Sequence, residues 1–103
     1  MKESLLALVV VLGCSLDVSA STRSQRARGA LIYDASGCAH CHSIRGIGGK
    51  KGPDLSGVGR RLDKDKIRKQ IVEGDNRMPP FGNDLQQKEV KDLIAYLRSC
   101  RDK

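Results

Sequence analysis

Two cysteines and a histidine lie within five residues, in the segment Cys38-Ala39-His40-Cys41-His42. Cysteines at this spacing lie on one side of a single turn, so both thiols can add to the vinyl groups of one porphyrin. The adjacent His42 then projects beneath the ring and binds the iron axially. The pattern predicts covalent haem attachment at Cys38 and Cys41, with His42 as a metal ligand. His40 is expected at the surface.

Three other interpretations of the motif remain open at this point. A redox-active dithiol would need a βαβ context, which the surrounding sequence lacks. A zinc site would crowd four ligands into five residues, and no second ligand pair follows. A structural disulfide would leave His42 and the glycine-rich segment that follows it without a role.

A sixth iron ligand is sought elsewhere in the chain. Met78 is the only thioether beyond the first residue, and it lies in Arg77-Met78-Pro79-Pro80-Phe81. Prolines stiffen this loop, which makes it a poor place for a core-filling methionine. We expect Met78 to bind the iron, which favours the reduced metal relative to bis-histidine ligation. If Met78 does not bind, the iron is five-coordinate and open to small ligands.

Residues 1–20 are predicted to be a secretory signal peptide. Lys2 supplies the positive start, Leu5–Gly13 the uncharged apolar run, and Val18-Ser19-Ala20 the small residues at the cleavage position. The apolar run is too short for a permanent membrane span. Val11-Leu12-Gly13-Cys14 also resembles a lipobox, which would make Cys14 a lipid anchor. We expect an exported, periplasmic protein, cleaved after Ala20 or anchored as a lipoprotein.

Composition limits what the mature domain can do. Cleavage after Ala20 leaves 83 residues with one Phe, two Tyr and no Trp, so a bulky apolar cofactor would help to fill the core. The whole chain has a formal charge of +7, and loss of residues 1–20 raises it to +8. A basic surface steers a protein toward acidic partners or anionic membranes. For an exported protein, nucleic acid is not an expected partner.

The pattern along the chain predicts an all-α domain, with three to four short helices and long loops. Residues 21–28 are expected to form a flexible lead-in, and helical spacing begins near Arg26 and ends at Gly37. The glycine density of residues 45–59 predicts a loop. Asp63 is the candidate N-cap of a helix over Lys64–Glu73, which Gly74 ends. We expect Ile67 and Ile71 on its buried face and no strand anywhere.

A last amphipathic helix is predicted over Lys88–Arg98. Its apolar positions recur at helical spacing: Val90, Leu93, Ile94 and Leu97. Its polar positions are expected to face water: Lys88, Glu89, Lys91 and Asp92. The candidate caps are Gln86 and Asp84.

These motifs together resemble the class I monohaem c-type cytochromes of the short bacterial kind. The resemblance extends over residues 29–99. It rests on Gly29-Ala30-Leu31-Ile32-Tyr33, Cys38–His42, Gly52-Pro53-Asp54-Leu55, Met78-Pro79-Pro80-Phe81 and the helix over residues 90–97. It implies a cytochrome c fold over residues 29–100, wrapped around one covalently bound haem c. It also implies a single-electron carrier, with dehydrogenases or terminal oxidases as redox partners; a subunit of such a complex is the alternative.

The resemblance implies roles for individual residues as well. Gly29 and Tyr33 would pack the first helix against the last, near Leu93, Tyr96 and Leu97. The Pro53 carbonyl would accept a hydrogen bond from the His42 ring, although a plain turn proline is equally compatible with the sequence.

Two features of the sequence depart from the family pattern. The aromatic residue near the haem propionates has no counterpart, which leaves Arg60, Arg61 or Lys50 as candidates to hold them. Cys100 has no role in the pattern, and its neighbours Ser99 and Arg101 favour exposure.

A basic rim for docking is expected from Lys50, Lys51, Arg45 and Arg77.

Overall fold

The computed structural model describes residues 21–102, so the signal-peptide and lipobox predictions lie outside the described residues. The described part contains helix α1 over residues 21–35, α2 (Val58–Arg61), α3 (Lys64–Glu73) and α4 (Gln87–Ser99). A 3-10 turn over Cys38–His40 and two short strands, β1 (Ser43–Ile44) and β2 (Ile47–Gly48), complete it. The all-α prediction is confirmed. Among the described residues, no helix has the length and apolarity needed to cross a bilayer.

Helix α1 includes the segment expected to be a flexible lead-in. Residues 21–28 are helical, because the segment has neither Gly nor Pro and is rich in good helix formers such as Arg, Gln and Ala. Its end is as predicted: Gly37, two residues past the last helical position, adopts φ 79°, a left-handed conformation that favours glycine. The Cys38–His40 turn follows directly.

The glycine-rich segment was predicted to be a loop, and the chain was predicted to have no strand. Both predictions are wrong, because the segment contains a strand and the start of a helix. β1 and β2 form an antiparallel hairpin in which Ser43 pairs with Gly48 and Ile44 with Ile47. Arg45 and Gly46 both have positive φ, 53° and 79°, as a tight two-residue hairpin turn requires. Two-residue strands are too short to show any periodicity in the sequence, and helix α2 begins at Val58, inside the predicted loop.

Helix α3 matches its prediction at both ends. The Asp63 carboxylate accepts a hydrogen bond from the Lys66 backbone N–H at 2.9 Å, which satisfies a donor of the first turn. Gly74 ends the helix with φ 64°. Ile67 and Ile71 are both buried on the face toward the core.

Helix α4 begins after Gln86, whose backbone N–H donates to the Glu89 carboxylate at 2.9 Å. Its apolar positions are buried as predicted. Asp92 corrects the prediction, because it is only 4% exposed and its carboxylate accepts a hydrogen bond from Arg28 Nε at 3.1 Å. The turn of α4 that carries Asp92 faces α1, so a charged position that the pattern assigns to water lies in a helix interface.

Helices α1 and α4 cross at Gly29. A Cβ atom at this position would lie 2.7 Å from Tyr96 Cβ and closer still to the Asp92 carbonyl oxygen. One turn further along, the rings of Tyr33 and Tyr96 lie 5.6 Å apart. The role that the family resemblance gave to Gly29 and Tyr33 agrees with this packing. The crossing holds the cysteine turn, which follows α1, against the core.

Candidate haem site

The cysteine turn places both thiols and the histidine within one compact segment. His42 N–H donates to the Cys38 carbonyl at 3.0 Å, which closes the turn that contains both cysteines. Cys38 and Cys41 are both half-buried, and burial raises the pKa of the Cys38 thiol. In the part of the chain that the structure describes, no group of three or more His, Cys, Asp or Glu side chains is arranged to hold a metal ion.

His42 is oriented by the Pro53 carbonyl. Its Nδ1 lies 2.7 Å from the Pro53 oxygen. Because a carbonyl oxygen can only accept, Nδ1 must carry the proton, and the lone pair of Nε2 is left for a metal. Gly52 packs against the same ring: a Cβ atom there would lie 2.8 Å from His42 Cε1. The close approach of this backbone therefore sets the plane of the imidazole.

The segment that carries Pro53 is braced by Arg61. The Arg61 guanidinium donates to the Ser56 carbonyl at 2.7 Å and to the Asp54 carbonyl at 3.0 Å. The buried Ser56 hydroxyl in turn accepts the Arg45 N–H at 2.7 Å. Hydrogen bonds from Ser56, chiefly its backbone N–H, lower the pKa of Asp54. Arg61 is one of the three candidates to hold the haem propionates, and its guanidinium is hydrogen-bonded to this loop.

Met78 lies in a loop that Asp75 organises. The Asp75 carboxylate accepts the backbone N–H groups of Arg77 and Met78, both at 2.9 Å, and these hydrogen bonds lower the pKa of Asp75. Asp75 N–H donates to the Met78 carbonyl at 2.9 Å. The Gln70 side-chain amide lies between them, 3.1 Å from Asp75 Oδ2 and 3.5 Å from Met78 Sδ. The methionine is thus fixed at both its backbone and its sulfur.

The residues present fit a haem group. Several apolar side chains pack on the buried core yet stay only partly covered, among them Cys38, Leu55, Met78 and Phe81. A flat apolar cofactor attached at the cysteine turn would cover such a surface. The donor set of two thiols, one imidazole with a free Nε2 and one thioether is the set that c-type haem uses.

Cys100 is buried, which corrects the expectation of exposure. It is 8% exposed, and burial raises the pKa of its thiol. Cys100 follows Leu97 by three positions and so falls on the buried face of α4, where its Sγ lies 3.5 Å from the Tyr96 carbonyl. It lines a cavity of about 330 Å³ together with Tyr33 and Tyr96, separate from Met78 and Pro53.

Two residues of the site, Asp75 and Gln70, were not found from the sequence, and Arg61 was expected only as a candidate to hold the propionates. The sequence could have indicated Asp75, because an Asp side chain in a loop often accepts a hydrogen bond from the backbone N–H two residues further on. Gln70 and the loop contacts of Arg61 had no such signal, since each is one polar residue among many on an exposed helical surface. Their partners become visible only when α2 and α3 are placed against the loops.

Comparisons with known proteins identify the family. Residues 24–97 match the family described as cytochrome c oxidase, cbb3-type, subunit III. The chain is 32% identical over 72 residues to cytochrome c-555 of Methylococcus capsulatus, covering 69% of this chain and 58% of that protein. It is 38% identical over 72 residues to the menaquinol:cytochrome c reductase cytochrome c subunit of Bacillus subtilis, covering 67% of this chain and 28% of that protein.

Among solved structures, the c-type cytochrome SorU from Sinorhizobium meliloti superposes with a TM-score of 0.66 at 22% identity, over 79% of this chain and 95% of that one. This similarity establishes the fold. The family match extends over most of the chain, including the cysteine turn, Pro53 and Met78. The chain therefore belongs to the cbb3-type subunit III family of c-type cytochromes, and it is a small monohaem protein that carries haem c.

Proposed function

We propose that this chain is a single-electron carrier whose haem is attached through Cys38 and Cys41 and bound axially by His42 and Met78. The observation that carries the proposal is the 2.7 Å contact between His42 Nδ1 and the Pro53 carbonyl. It orients the ring, fixes the tautomer and makes Nε2 the more basic donor. When bound, haem supplies a one-electron couple between ferric and ferrous iron.

The protein residues limit what else the iron can do. With His42 and Met78 both bound to the iron, no position would be left for a substrate, which would suit electron transfer better than catalysis. Asp75 and Gln70 hold Met78 in place, which would limit the rearrangement of this loop when bound haem gains or loses an electron. A five-coordinate protein that binds small ligands is the alternative, and it requires that Met78 stay unbound.

The proposal extends to location and partners. We propose export to the periplasm, with residues 1–20 as the signal and residues 29–100 as the haem domain, and either cleavage after Ala20 or lipidation at Cys14. Relatives of this chain are named as a reductase cytochrome subunit and an oxidase subunit 2, which supports docking to respiratory redox proteins. A role as a fixed subunit rather than a free shuttle is the second candidate, and co-purification of a partner complex distinguishes the two.

The docking surface is proposed to be basic. Lys50, Lys51 and Arg77 are exposed and form no ion pair among the described residues. Arg45 differs from them, because its guanidinium lies 3.2 Å from the Asp102 carboxylate. We therefore expect Lys50, Lys51 and Arg77 to contribute more than Arg45 to partner attraction. Raising the ionic strength should slow electron transfer to an acidic partner. An electron-transfer rate that does not change with salt would contradict the proposed basic docking surface.

One experiment tests the ligand assignment directly. The matured protein is analysed by mass spectrometry for the haem adduct, its N-terminus and any lipid, and by the visible spectrum of its ferric form. Met ligation gives a weak absorption band at the red end of that spectrum, which Met78→Ala should abolish. Loss of one cysteine, in Cys38→Ala or Cys41→Ala, should leave haem attached through a single thioether. A ferric wild-type protein with a high-spin spectrum and no such band would favour the five-coordinate alternative.

A further inference from the structure

Gln70 is the polar side chain that contacts the sulfur of Met78, and it belongs to helix α3 rather than to the methionine loop. We propose that Gln70 is a positioning residue for the Met78 thioether, and that Asp75 sets which end of its amide faces the sulfur. This inference rests on the proposed function, in which Met78 is an axial ligand.

The orientation of the Gln70 amide follows from the charge of its neighbour. Amide oxygen and nitrogen have nearly the same shape, so the partners decide which is which. The Asp75 carboxylate can only accept hydrogen bonds, and its Oδ2 lies 3.1 Å from the end of the Gln70 side chain. That end must therefore be the NH₂ group, with the Gln70 carbonyl oxygen turned away.

Asp75 has no freedom to change this arrangement. Its Oδ1 accepts the N–H groups of Arg77 and Met78, so Oδ2 is the oxygen left for Gln70. One carboxylate thus fixes the Met78 backbone with one oxygen and the Gln70 amide with the other.

The second hydrogen of the Gln70 NH₂ group is available to the sulfur 3.5 Å away. A thioether sulfur is a weak acceptor with two lone pairs. A donor on one lone pair restrains the rotation of the side chain and leaves the other lone pair for iron. Asp75, Gln70 and Met78 therefore form one unit that presents the sulfur in a single arrangement before it binds.

Two substitutions separate the role of Gln70 from that of loop structure. Gln70→Leu removes the donor and keeps a side chain of similar volume. Asp75→Asn is subtler: its oxygen must stay toward the two backbone N–H groups, so its NH₂ group takes the place of Oδ2. That NH₂ group requires an acceptor, so the Gln70 amide should turn over and present its oxygen to Met78 Sδ. Gln87→Leu, at an exposed position of α4, is the matched control.

The measurements are the red-end absorption band of the ferric protein and the binding of imidazole, which competes with Met78 for iron. We expect Gln70→Leu to bind imidazole about three- to fivefold more tightly than wild type, as loss of one weak hydrogen bond implies, and to shift the band. Asp75→Asn should have at least as large an effect. In the double variant, Asp75→Asn should add little to Gln70→Leu, because the amide that it turns is gone. Gln87→Leu should match wild type.

Each outcome decides the inference. If Asp75→Asn has the same effect in the wild-type and in the Gln70→Leu background, the charge of Asp75 acts directly on the site. The proposed action of Asp75 through the Gln70 amide is then wrong. If Gln70→Leu lowers stability toward urea but leaves the band and imidazole affinity unchanged, Gln70 is merely structural and the proposal fails. If the wild-type protein has no methionine band, the ligand assignment itself fails, and that result is distinct from both.

Discussion

The substitution Gly29→Ala tests the packing that supports the haem turn. Gly29 lies where α1 crosses α4, and an added Cβ atom would lie 2.7 Å from Tyr96 Cβ. Carbon atoms in ordinary contact are about 3.5–4.0 Å apart, so the two helices would have to separate by about 1 Å. The same movement would weaken the 3.1 Å contact between Arg28 and the buried Asp92 carboxylate.

The size of the effect can be bounded. Overpacking a well-packed interface costs about 1–3 kcal/mol, and the overlap here involves backbone, which cannot rotate away. Alanine in place of glycine in a helix returns about 1 kcal/mol. A weakened contact to a buried carboxylate adds a further cost of about 1 kcal/mol or more. We expect the free energy of unfolding to fall by about 1–3 kcal/mol, which lowers the Tm of a domain of this size by about 4–24 °C.

The assay is thermal and urea unfolding of the haem-loaded protein, followed by far-UV circular dichroism. Ala27→Gly, two residues away on the exposed side of α1, serves as the control, because it measures helix preference alone and should cost about 1 kcal/mol. If Gly29→Ala proved as stable as wild type, or more stable, the helices would not cross as closely as described and the reasoning would be refuted.

Three further predictions concern the site and its surroundings. Gly52→Ala should turn the His42 ring, because the added Cβ atom would overlap it. We expect a lower reduction potential in a redox titration, or a lower yield of haem-loaded protein. An unchanged potential would argue against control of the ring by this backbone. Arg61→Met should cost about 1–2 kcal/mol in urea unfolding, because two carbonyls lose a charged donor, and Arg60→Met should cost less. Burial raises the pKa of Tyr33 from 10.0 to about 12, so the folded protein keeps a proton that the unfolded chain loses first. That contribution is intact below pH 10 and lost between pH 10 and pH 12, so Tyr33→Phe should flatten the fall in stability over this range; an equally steep fall in the variant would contradict it.

Local chemistry predicts which residues of this protein attach the haem. The spacing of Cys38, Cys41 and His42 needs only one turn of backbone, so the attachment motif is legible without a fold. The ends of α3 are local in the same way, because Asp63 caps a donor three residues away and Gly74 adopts a conformation that other residues avoid. The apolar face of α4 followed from its period for the same reason.

Tertiary structure decided what surrounds those residues. Asp92 and Cys100 were expected in water, and both are buried, because their exposure depends on where α1 and α2 pack against α4. The acceptor for His42 was suggested by family resemblance, but its 2.7 Å geometry exists only once residues 52–56 fold back on the cysteine turn. Arg61 and Gln70 act on atoms five to eight residues away and across a loop, and no periodicity records such contacts. Haem attachment can therefore be predicted from neighbouring residues, whereas the orientation of the ligands depends on distances that only the packed chain sets.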